Sequence, residues 1–306
     1  MGEQQPYLTV QEVARLLRLK ERRVYALARS GVLPGRRVTG RLLFRRAEIE
    51  AWLAGAAAGV PAAGMGTPPA VLVGSHDPLL EWALRESGSG IASFLDGSLD
   101  GLARLARGEA IAAGLHLPGA LDEGEWNRSQ VEECLAGRPV VLLEWAWRER
   151  GLVVAAGNPL GIDGLEGFLR HRLVVRQPEA GSQLLLELLL RRAGLPREPL
   201  QRAVAVARSE SDAALAVADG KADAAFGLFC MARQFRLGFV GLARERFDLV
   251  VDRHAYFEPP FQRFLAFCRS PAFASRAGEL GGYDLSGLLT VHYNAPRDPA
   301  AGLSPS

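Results

Sequence analysis

Polar side chains that could hold a small anion stand where an apolar run gives way to a helical pattern. In VGSHDPLLEWAL, residues 73–84, an apolar run ends, and Ser75, His76 and Asp77 precede a helical pattern that begins at Pro78. This order predicts a strand, a tight turn and a helix start. Serine hydroxyls and the N–H groups of a helix N-terminus suit an anion, but serine and aspartate also cap helices without any ligand. Both interpretations stay open at this junction.

The same kind of junction recurs at three further places in the chain. The candidate ligand-binding residues there are Ser98 in DGSLDG, His116 in AGLH, and Arg176, Gln177, Gly181 and Ser182 in RQPEAGSQ. Arg176 brings a positive charge that favours either an inorganic dianion or an organic carboxylate, although it could instead pair with Glu179. His76 and His116 are also compatible with a structural role.

No pattern in the sequence indicates catalysis or a metal. The chain has no nucleophile elbow, no clustered cysteine and histidine pattern and no phosphate-binding loop. His76 beside Asp77 lacks the spacing of metal-ligand pairs, and the three cysteines form no CxxC pair. The sequence therefore predicts a protein that is not an enzyme, with no catalytic residue, no metal site and no cofactor besides a bound ligand. An enzyme built on a ligand-binding fold remains an alternative.

Charge and composition divide the chain into regions. Its 306 residues, 48% of them hydrophobic, are enough for two domains. Residues 1–58 carry 11 Lys and Arg against 5 Asp and Glu, whereas the remainder carries 25 against 29. Residues 54–69 are rich in Ala, Gly and Pro without apolar periodicity, which predicts a flexible linker. We therefore predict a basic, nucleic-acid-binding head over 1–53, a body over 70–293 and a disordered Pro-rich tail over 294–306.

The head has the pattern of a helix-turn-helix. Thr9 and Glu12 fit a capping box at the start of a first helix. A second helix is predicted from about Glu21 to Ser30, then a hairpin over 36–44 and a third helix over 47–53. The cations that crowd the start of the second helix oppose its macrodipole, and DNA phosphates would offset that repulsion. A solvated basic turn is the alternative interpretation of this cluster.

The stretch YLTVQEVARLLRLKERRVYALARSGVLPGRRVTGRLLFRRAEIEAWL resembles the winged helix-turn-helix of the MerR/excisionase type. The matching features include the LTVQEVARLL opening, the SGVLPGRRV turn and the closing EIEAWL. The resemblance implies that the second helix enters the DNA major groove and that the hairpin is the wing. The residues that it brings nearest the DNA are Lys20, Arg22, Arg23 and Tyr25 of the helix and Arg36, Arg37 and Arg41 of the wing.

The body alternates short apolar runs with helical patterns, which is typical of a doubly wound α/β domain. The predicted strands are 70–73, 91–95, 110–113, 140–143, 152–155, 173–175 and 222–226. The predicted helices are 78–86, 99–107, 183–193 and 212–219.

Several blocks of the body, among them GSHDPLLEWAL, VVRQPEAGSQLLLELLLRRAG and VADGKADAAFGL, together resemble the cytosolic relatives of periplasmic binders of molybdate and tungstate. The resemblance implies a two-lobed, type II periplasmic-binding-protein-like domain whose second lobe spans about 150–250. In such a fold, ligands lie at strand carboxyl ends and helix N-termini. All four junctions, with their eight candidate residues, would then converge on one cleft between the lobes.

The two resemblances together predict a ligand-responsive transcriptional regulator. Its partners would be double-stranded DNA and a small anion, with molybdate or tungstate as the first candidates. Paired half-sites in operator DNA would imply a homodimer. The absence of a secretory signal and of a long apolar run predicts a cytoplasmic protein with no membrane contact. An excisionase-like or architectural DNA-binding protein, whose body merely dimerises, is the other alternative.

Overall fold

The computed structural model of the chain describes residues 7–17, 20–29, 33, 35–38, 41–46, 48–50, 68–119 and 126–296. The backbone forms two units, residues 1–67 and residues 68–306. Most of the predicted linker over 54–69, and the predicted tail from residue 297 onward, lie outside the described residues. The boundaries of the linker and the disorder of the tail therefore stay predictions.

The first unit is a small helical domain with a three-stranded sheet. Its elements are β1 (Tyr7–Thr9), α1 (Val10–Leu16), α2 (Glu21–Arg29), β2 (Arg36–Val38) and β3 (Arg41–Arg45). The strands pair antiparallel in the order β1-β3-β2. The hairpin turn at 39–40 and most of the predicted third helix over 47–53 lie outside the described residues.

The capping box at the start of α1 is confirmed. The backbone N–H of Glu12 donates to Thr9 Oγ1 over 3.3 Å, and the backbone N–H of Thr9 donates to Glu12 Oε2 over 2.7 Å. Val13, Val24 and Phe44 are fully buried and pack α1 and α2 against the sheet. A helix pair and a hairpin, as the sequence indicates, thus share one small core.

The second unit alternates strands and helices along its whole length. In chain order its elements are β4 (Val71–Gly74), α3 (Pro78–Glu86), β5 (Ala92–Phe94), α4 (Ser98–Ala106), β6 (Ala112–Leu115), α5 (Arg128–Cys134), β7 (Val140–Val154), α6 (Leu165–Phe168), β8 (Leu173–Arg176), α7 (Gly181–Arg192), a 3₁₀ turn (Glu198–Arg202), β9 (Ala205–Ala207), α8 (Glu210–Ala218), β10 (Ala224–Leu228), α9 (Phe229–Gln234), β11 (Gly238–Asp252), α10 (Arg253–Phe257), α11 (Pro259–Cys268), α12 (Pro271–Leu280), β12 (Tyr283–Asp284) and β13 (Val291–Asn294).

One curled sheet divides the second unit into two lobes. Its strand order is β5-β4-β6-β11-β7-β10-β8-β9, with β12 and β13 pairing on β7. Lobe one contains β4, β5 and β6, and lobe two contains β8, β9 and β10. The long antiparallel strands β7 and β11 run through both lobes and are the only described strands that join them. Two register shifts in β11, between Gly241 and Ala243 and between Phe247 and Asp248, interrupt its pairing with β7.

The two separate strands predicted over 140–143 and 152–155 are in fact the two ends of β7. The stretch between them contains Glu144, Arg148 and Arg150, and these charges break the apolar pattern in the sequence. All three side chains are nevertheless buried. Two residues predicted to belong to the tail are part of the second unit, because β13 continues to Asn294 and Ala295 is buried.

Candidate functional site

The predicted junctions of lobe one meet at the carboxyl ends of β4 and β6. These two parallel strands lie so close that a Cβ at Gly74, where φ is +101°, would be 2.3 Å from the carbonyl oxygen of Gly114. Ser75 and Ser98 are buried, and their Oγ atoms are 2.6 Å apart. The backbone N–H of His116 donates to Ser98 Oγ over 3.2 Å. Ser75, Ser98 and His116 therefore form one buried group.

Lobe two brings the start of α7 against this group. A Cβ at Gly181 would lie 2.7 Å from the carbonyl oxygen of His116, so only glycine permits this approach. The amide Nε2 of Gln177 donates across the cleft to the carbonyl of Asp96 over 2.8 Å. Ser182 is 1% exposed, and its Oγ has no hydrogen-bond partner among the described residues. The structure therefore brings the four junctions together in a closed cleft.

Two helix N-termini that lack side-chain caps face this cleft from opposite lobes. Helix α4 begins after Gly97, and α7 begins after Ala180, so neither N-cap residue has a side chain that could accept from the first turn. The first N–H groups of a helix have no partner within the helix and carry its positive dipole end. With the hydroxyls of Ser98 and Ser182 beside them, they form a set of neutral donors suited to a small anion.

The start of α3 shows which of Ser75, His76 and Asp77 caps a helix and which could face a ligand. Asp77 is the N-cap of α3, and its Oδ1 accepts from the backbone N–H of Leu80 over 2.7 Å. His76 does not join the serine group, because its Nε2 lies 3.1 Å from Glu81 Oε2 in the first turn of α3. At this junction only Ser75 faces the other candidates, while Asp77 serves as a cap.

A buried network of alternating charges fills the part of the cleft next to β7 and β11. Arg148 bonds Asp77 over 2.9 Å and also bonds Glu245. Arg150 donates one hydrogen bond of 2.6 Å to Glu245 and two hydrogen bonds, of 2.8 and 3.0 Å, to Glu210. Three arginines and three carboxylates make up the network: Asp77, Arg148, Arg150, Arg176, Glu210 and Glu245. Their formal charges cancel.

Arg176 is the predicted site residue that enters this network. Its Nη1 donates to Glu210 Oε1 over 2.7 Å, and its Nε and Nη2 donate to the carbonyls of Ala207 and Arg208. Arg176 thus pairs with Glu210 and not with Glu179, the alternative partner that the sequence offered. Glu210 lies at the first position of α8, which brings it to the end of β8, where Arg176 stands.

Burial and the charges of the network shift the pKa values of Glu210, Glu245 and His116. Burial alone would raise the pKa of Glu210, but the charges of Arg150 and Arg176 outweigh that effect and lower it to about 2. Burial also opposes ionisation of Glu245, whose pKa is nevertheless held well below its usual range by Arg148 and Arg150. Burial lowers the pKa of His116, although Glu245 lies 3.0 Å from its Nδ1. His116 is therefore neutral at neutral pH.

Arg148, Arg150, Glu210 and Glu245 were not predicted as site residues from the sequence. One signal could have found three of them: the triplet Arg-Glu-Arg occurs at 148–150 and again at 244–246, each time beside an apolar run. Buried charges in proteins are paired, so two charged triplets beside apolar runs could have indicated two strands joined by buried ion pairs.

The DNA-binding candidates of the head lie on α2, β2 and β3. Lys20 and Arg22 are exposed at the start of α2, and Tyr25 is 51% exposed one turn later. The side chains of Arg23, Arg36, Arg37 and Arg41 lie outside what the structure describes, although their backbones belong to α2, β2 and β3.

Comparisons with known proteins identify both units. Residues 80–269, more than half of the chain, match the PBP superfamily domain, and the chain belongs to this family. Residues 7–57 match a helix-turn-helix domain. The chain is thus a helix-turn-helix DNA-binding domain joined to a periplasmic-binding-protein-like ligand-binding domain.

Two individual proteins illustrate these matches. The chain is 28% identical over 204 residues to the uncharacterized protein YvgK of Bacillus subtilis; the match covers 61% of this chain and 66% of that relative, slightly less than two thirds of its length. A putative phosphate ABC transporter substrate-binding protein of Clostridium perfringens, solved with bound phosphate, is similar in structure, with a TM-score of 0.53 at 10% identity. The likeness covers 72% of this chain and 98% of that protein and concerns the fold alone.

Among the described residues, no three His, Cys, Asp or Glu side chains are grouped to hold a metal ion. Within the same ranges, no helix is long and apolar enough to cross a membrane.

Proposed function

We propose that the protein is a ligand-responsive transcriptional regulator. Its helix-turn-helix would bind operator DNA through α2, with the hairpin of β2 and β3 as the wing. Its two-lobed domain would bind a small anion, and the equilibrium between open and closed lobes would set DNA affinity. Two copies would act together on paired half-sites, as a homodimer in the cytoplasm.

One observation carries the ligand part of this proposal. The uncapped N-termini of α4 and α7 meet from opposite lobes, and the buried hydroxyl of Ser182 has no partner among the described residues. A buried hydroxyl without a partner costs about 1–3 kcal/mol. An anion that accepts from Ser182 and from the first-turn N–H groups would remove that cost and hold the lobes closed.

The first candidates for the ligand are molybdate and tungstate. The serine and backbone donors are neutral, and the fixed charges of the network cancel, so selection would depend on size and on the number of accepting oxygens. A tetrahedral oxyanion has four such oxygens. Sulfate has shorter bonds than molybdate, so its oxygens would lie farther from donors on opposite walls, and it would bind less tightly.

A thermal-shift titration with oxyanions tests the ligand proposal. Molybdate or tungstate at about 100 times its dissociation constant should stabilise the protein by about 2.7 kcal/mol. Combined Ser75→Ala and Ser182→Ala substitution should abolish that shift, whereas Ser129→Ala, on the exposed face of α5, should leave it unchanged. The proposal fails if no oxyanion stabilises the wild type, or if the double variant responds as strongly as the wild type.

A further inference from the structure

Glu210 occupies a position between two arginines that a carboxylate ligand would otherwise take. Its two oxygens accept three hydrogen bonds of 2.7 to 3.0 Å, two from Arg150 and one from Arg176. Two parallel N–H···O bonds from one guanidinium are the geometry by which arginine recognises a carboxylate. Here the carboxylate comes from the chain itself.

The two guanidinium groups have every nitrogen engaged. Arg150 donates from Nε to Glu245 and from both Nη atoms to Glu210. Arg176 donates from Nη1 to Glu210 and from its other two nitrogens to the carbonyls of Ala207 and Arg208. Arg150 is completely buried and Arg176 is 7% exposed. An incoming carboxylate would therefore have to displace Glu210.

The start of α8 fixes Glu210 in this position. Ser209 and Asp212 form a capping box, in which the backbone N–H of Asp212 donates to Ser209 Oγ over 3.0 Å and the backbone N–H of Ser209 donates to Asp212 Oδ2 over 3.1 Å. Glu210 is the first helical residue, so this cap determines its backbone. The negative side chain also lies at the positive end of the helix dipole, which stabilises it there. Displacing the Glu210 side chain would break its buried ion pairs and remove its negative charge from the helix N-terminus.

We propose that Glu210 is a specificity-determining residue that acts as an internal carboxylate. It satisfies Arg150 and Arg176 permanently, and so it keeps organic carboxylates off this arginine pair and leaves the ligand to the neutral donors of α4 and α7. The consequence for ligand choice rests on the proposed function. The occupancy of the arginine pair itself can be measured without any oxyanion or DNA.

Chemical rescue of a Glu210→Ala variant tests the proposal. Removing one partner of a buried ion pair leaves the other charges uncompensated, and we expect the melting temperature to fall by roughly 10 °C. Acetate should restore much of this loss, because it can take the place of the missing carboxylate. The gain in melting temperature should level off as the acetate concentration rises. Acetamide, which is neutral and of similar shape, and chloride at equal ionic strength should not.

Asp223→Ala is the matched control. Asp223 also pairs with an arginine, Arg172, over 2.6 Å, but that arginine is 56% exposed. Acetate should stabilise neither this variant nor the wild type. A Glu210→Ala protein that folds but gains no more from acetate than from acetamide would overturn the proposal.

The wild type supplies a second test, which does not depend on how the variant folds. Formate, acetate, oxalate and succinate should leave its melting temperature unchanged. A carboxylate that stabilises the wild type, with the response lost in Arg176→Gln, would show that the arginine pair is open to ligands and would overturn the proposal. If no oxyanion stabilises the wild type but acetate rescues Glu210→Ala, the proposed ligand is wrong and the role of Glu210 stands.

Discussion

Two buried side chains of the cleft, His116 from lobe one and Glu210 from lobe two, are both connected to Glu245. His116 contacts Glu245 through Nδ1, and Glu210 reaches it through Arg150. At the level of single residues, the cleft therefore combines a neutral group of serine hydroxyls with a charged network whose charges cancel. His116 links the two groups, because its backbone N–H donates to Ser98 Oγ and its ring nitrogen Nδ1 lies 3.0 Å from Glu245 Oε2.

The sequence predicts the serines of the first group, whereas of the second group it predicts only Arg176. Ser75, Ser98 and Ser182 each stand at a recognisable strand-to-helix signal, and the resemblance to periplasmic binding proteins implies that these signals converge. The ion pairs join residues far apart in the chain, as with Arg150 and Glu210, which are 60 positions apart. No local pattern specifies which distant carboxylate neutralises which arginine.

The lowered pKa of His116 predicts a pH dependence of stability. Below pH 6.5 the unfolded chain protonates this histidine while the folded protein resists protonation, so the free energy of unfolding should fall as the pH drops through 6.5 toward the lower folded-state pKa. Urea unfolding at a series of pH values from 8 to 5.5 measures this. The slope should be smaller in His116→Gln. An equal slope in both proteins would assign the dependence to other groups.

At the level of elements, the positions of α4, β7 and β11 determine the cleft. Helix α4 packs so closely on β4 that a Cβ at Gly101 would lie 2.4 Å from the Cα of Gly74. This packing holds Ser98, at the start of α4, beside Ser75, at the end of β4. The sequence predicts α4 to within a residue. It predicts only the two ends of β7 and no strand at β11, because paired buried charges interrupt their apolar pattern.

Two glycine substitutions separate close packing from helix propensity. Gly101→Ala should destabilise the protein by about 1–3 kcal/mol, because the new methyl group meets backbone that must shift. Gly278→Ala in α12, where nothing lies within 4 Å of the new Cβ, should stabilise it by about 0.5–1 kcal/mol. Urea unfolding of the two variants is the measurement. Equal effects on stability would show that α4 and β4 do not approach each other as closely as described.

At the level of the whole molecule, a basic head is joined to a two-lobed body. The composition of the sequence predicts this division, and the backbone forms two units, residues 1–67 and 68–306. How ligand binding in one unit would alter DNA binding by the other is not encoded in any local pattern, because it depends on how two copies are arranged. That link belongs to the proposed function.

Replacing Arg22 and Arg23 by Ala should weaken DNA binding and its dependence on salt. Cations at the start of α2 oppose the helix dipole, and phosphates would compensate them. The slope of log affinity against log salt should become shallower by roughly one for each phosphate that the variant no longer neutralises. Arg269→Ala, an exposed arginine of the body, should leave affinity and slope unchanged. An unaltered slope in the double variant would rule out a role for these two arginines in binding phosphates.

The affinity of the intact protein for its operator, with and without a bound oxyanion, tests the proposed function most directly. Operator duplexes can be selected from a random library by the protein itself and then titrated with and without saturating molybdate or tungstate. The predicted result is a change in the Kd for DNA of roughly fivefold or more, abolished when Ser75 and Ser182 are both replaced by Ala. An identical Kd in both conditions, while thermal shifts show that the anion is bound, would contradict a regulator controlled from this cleft.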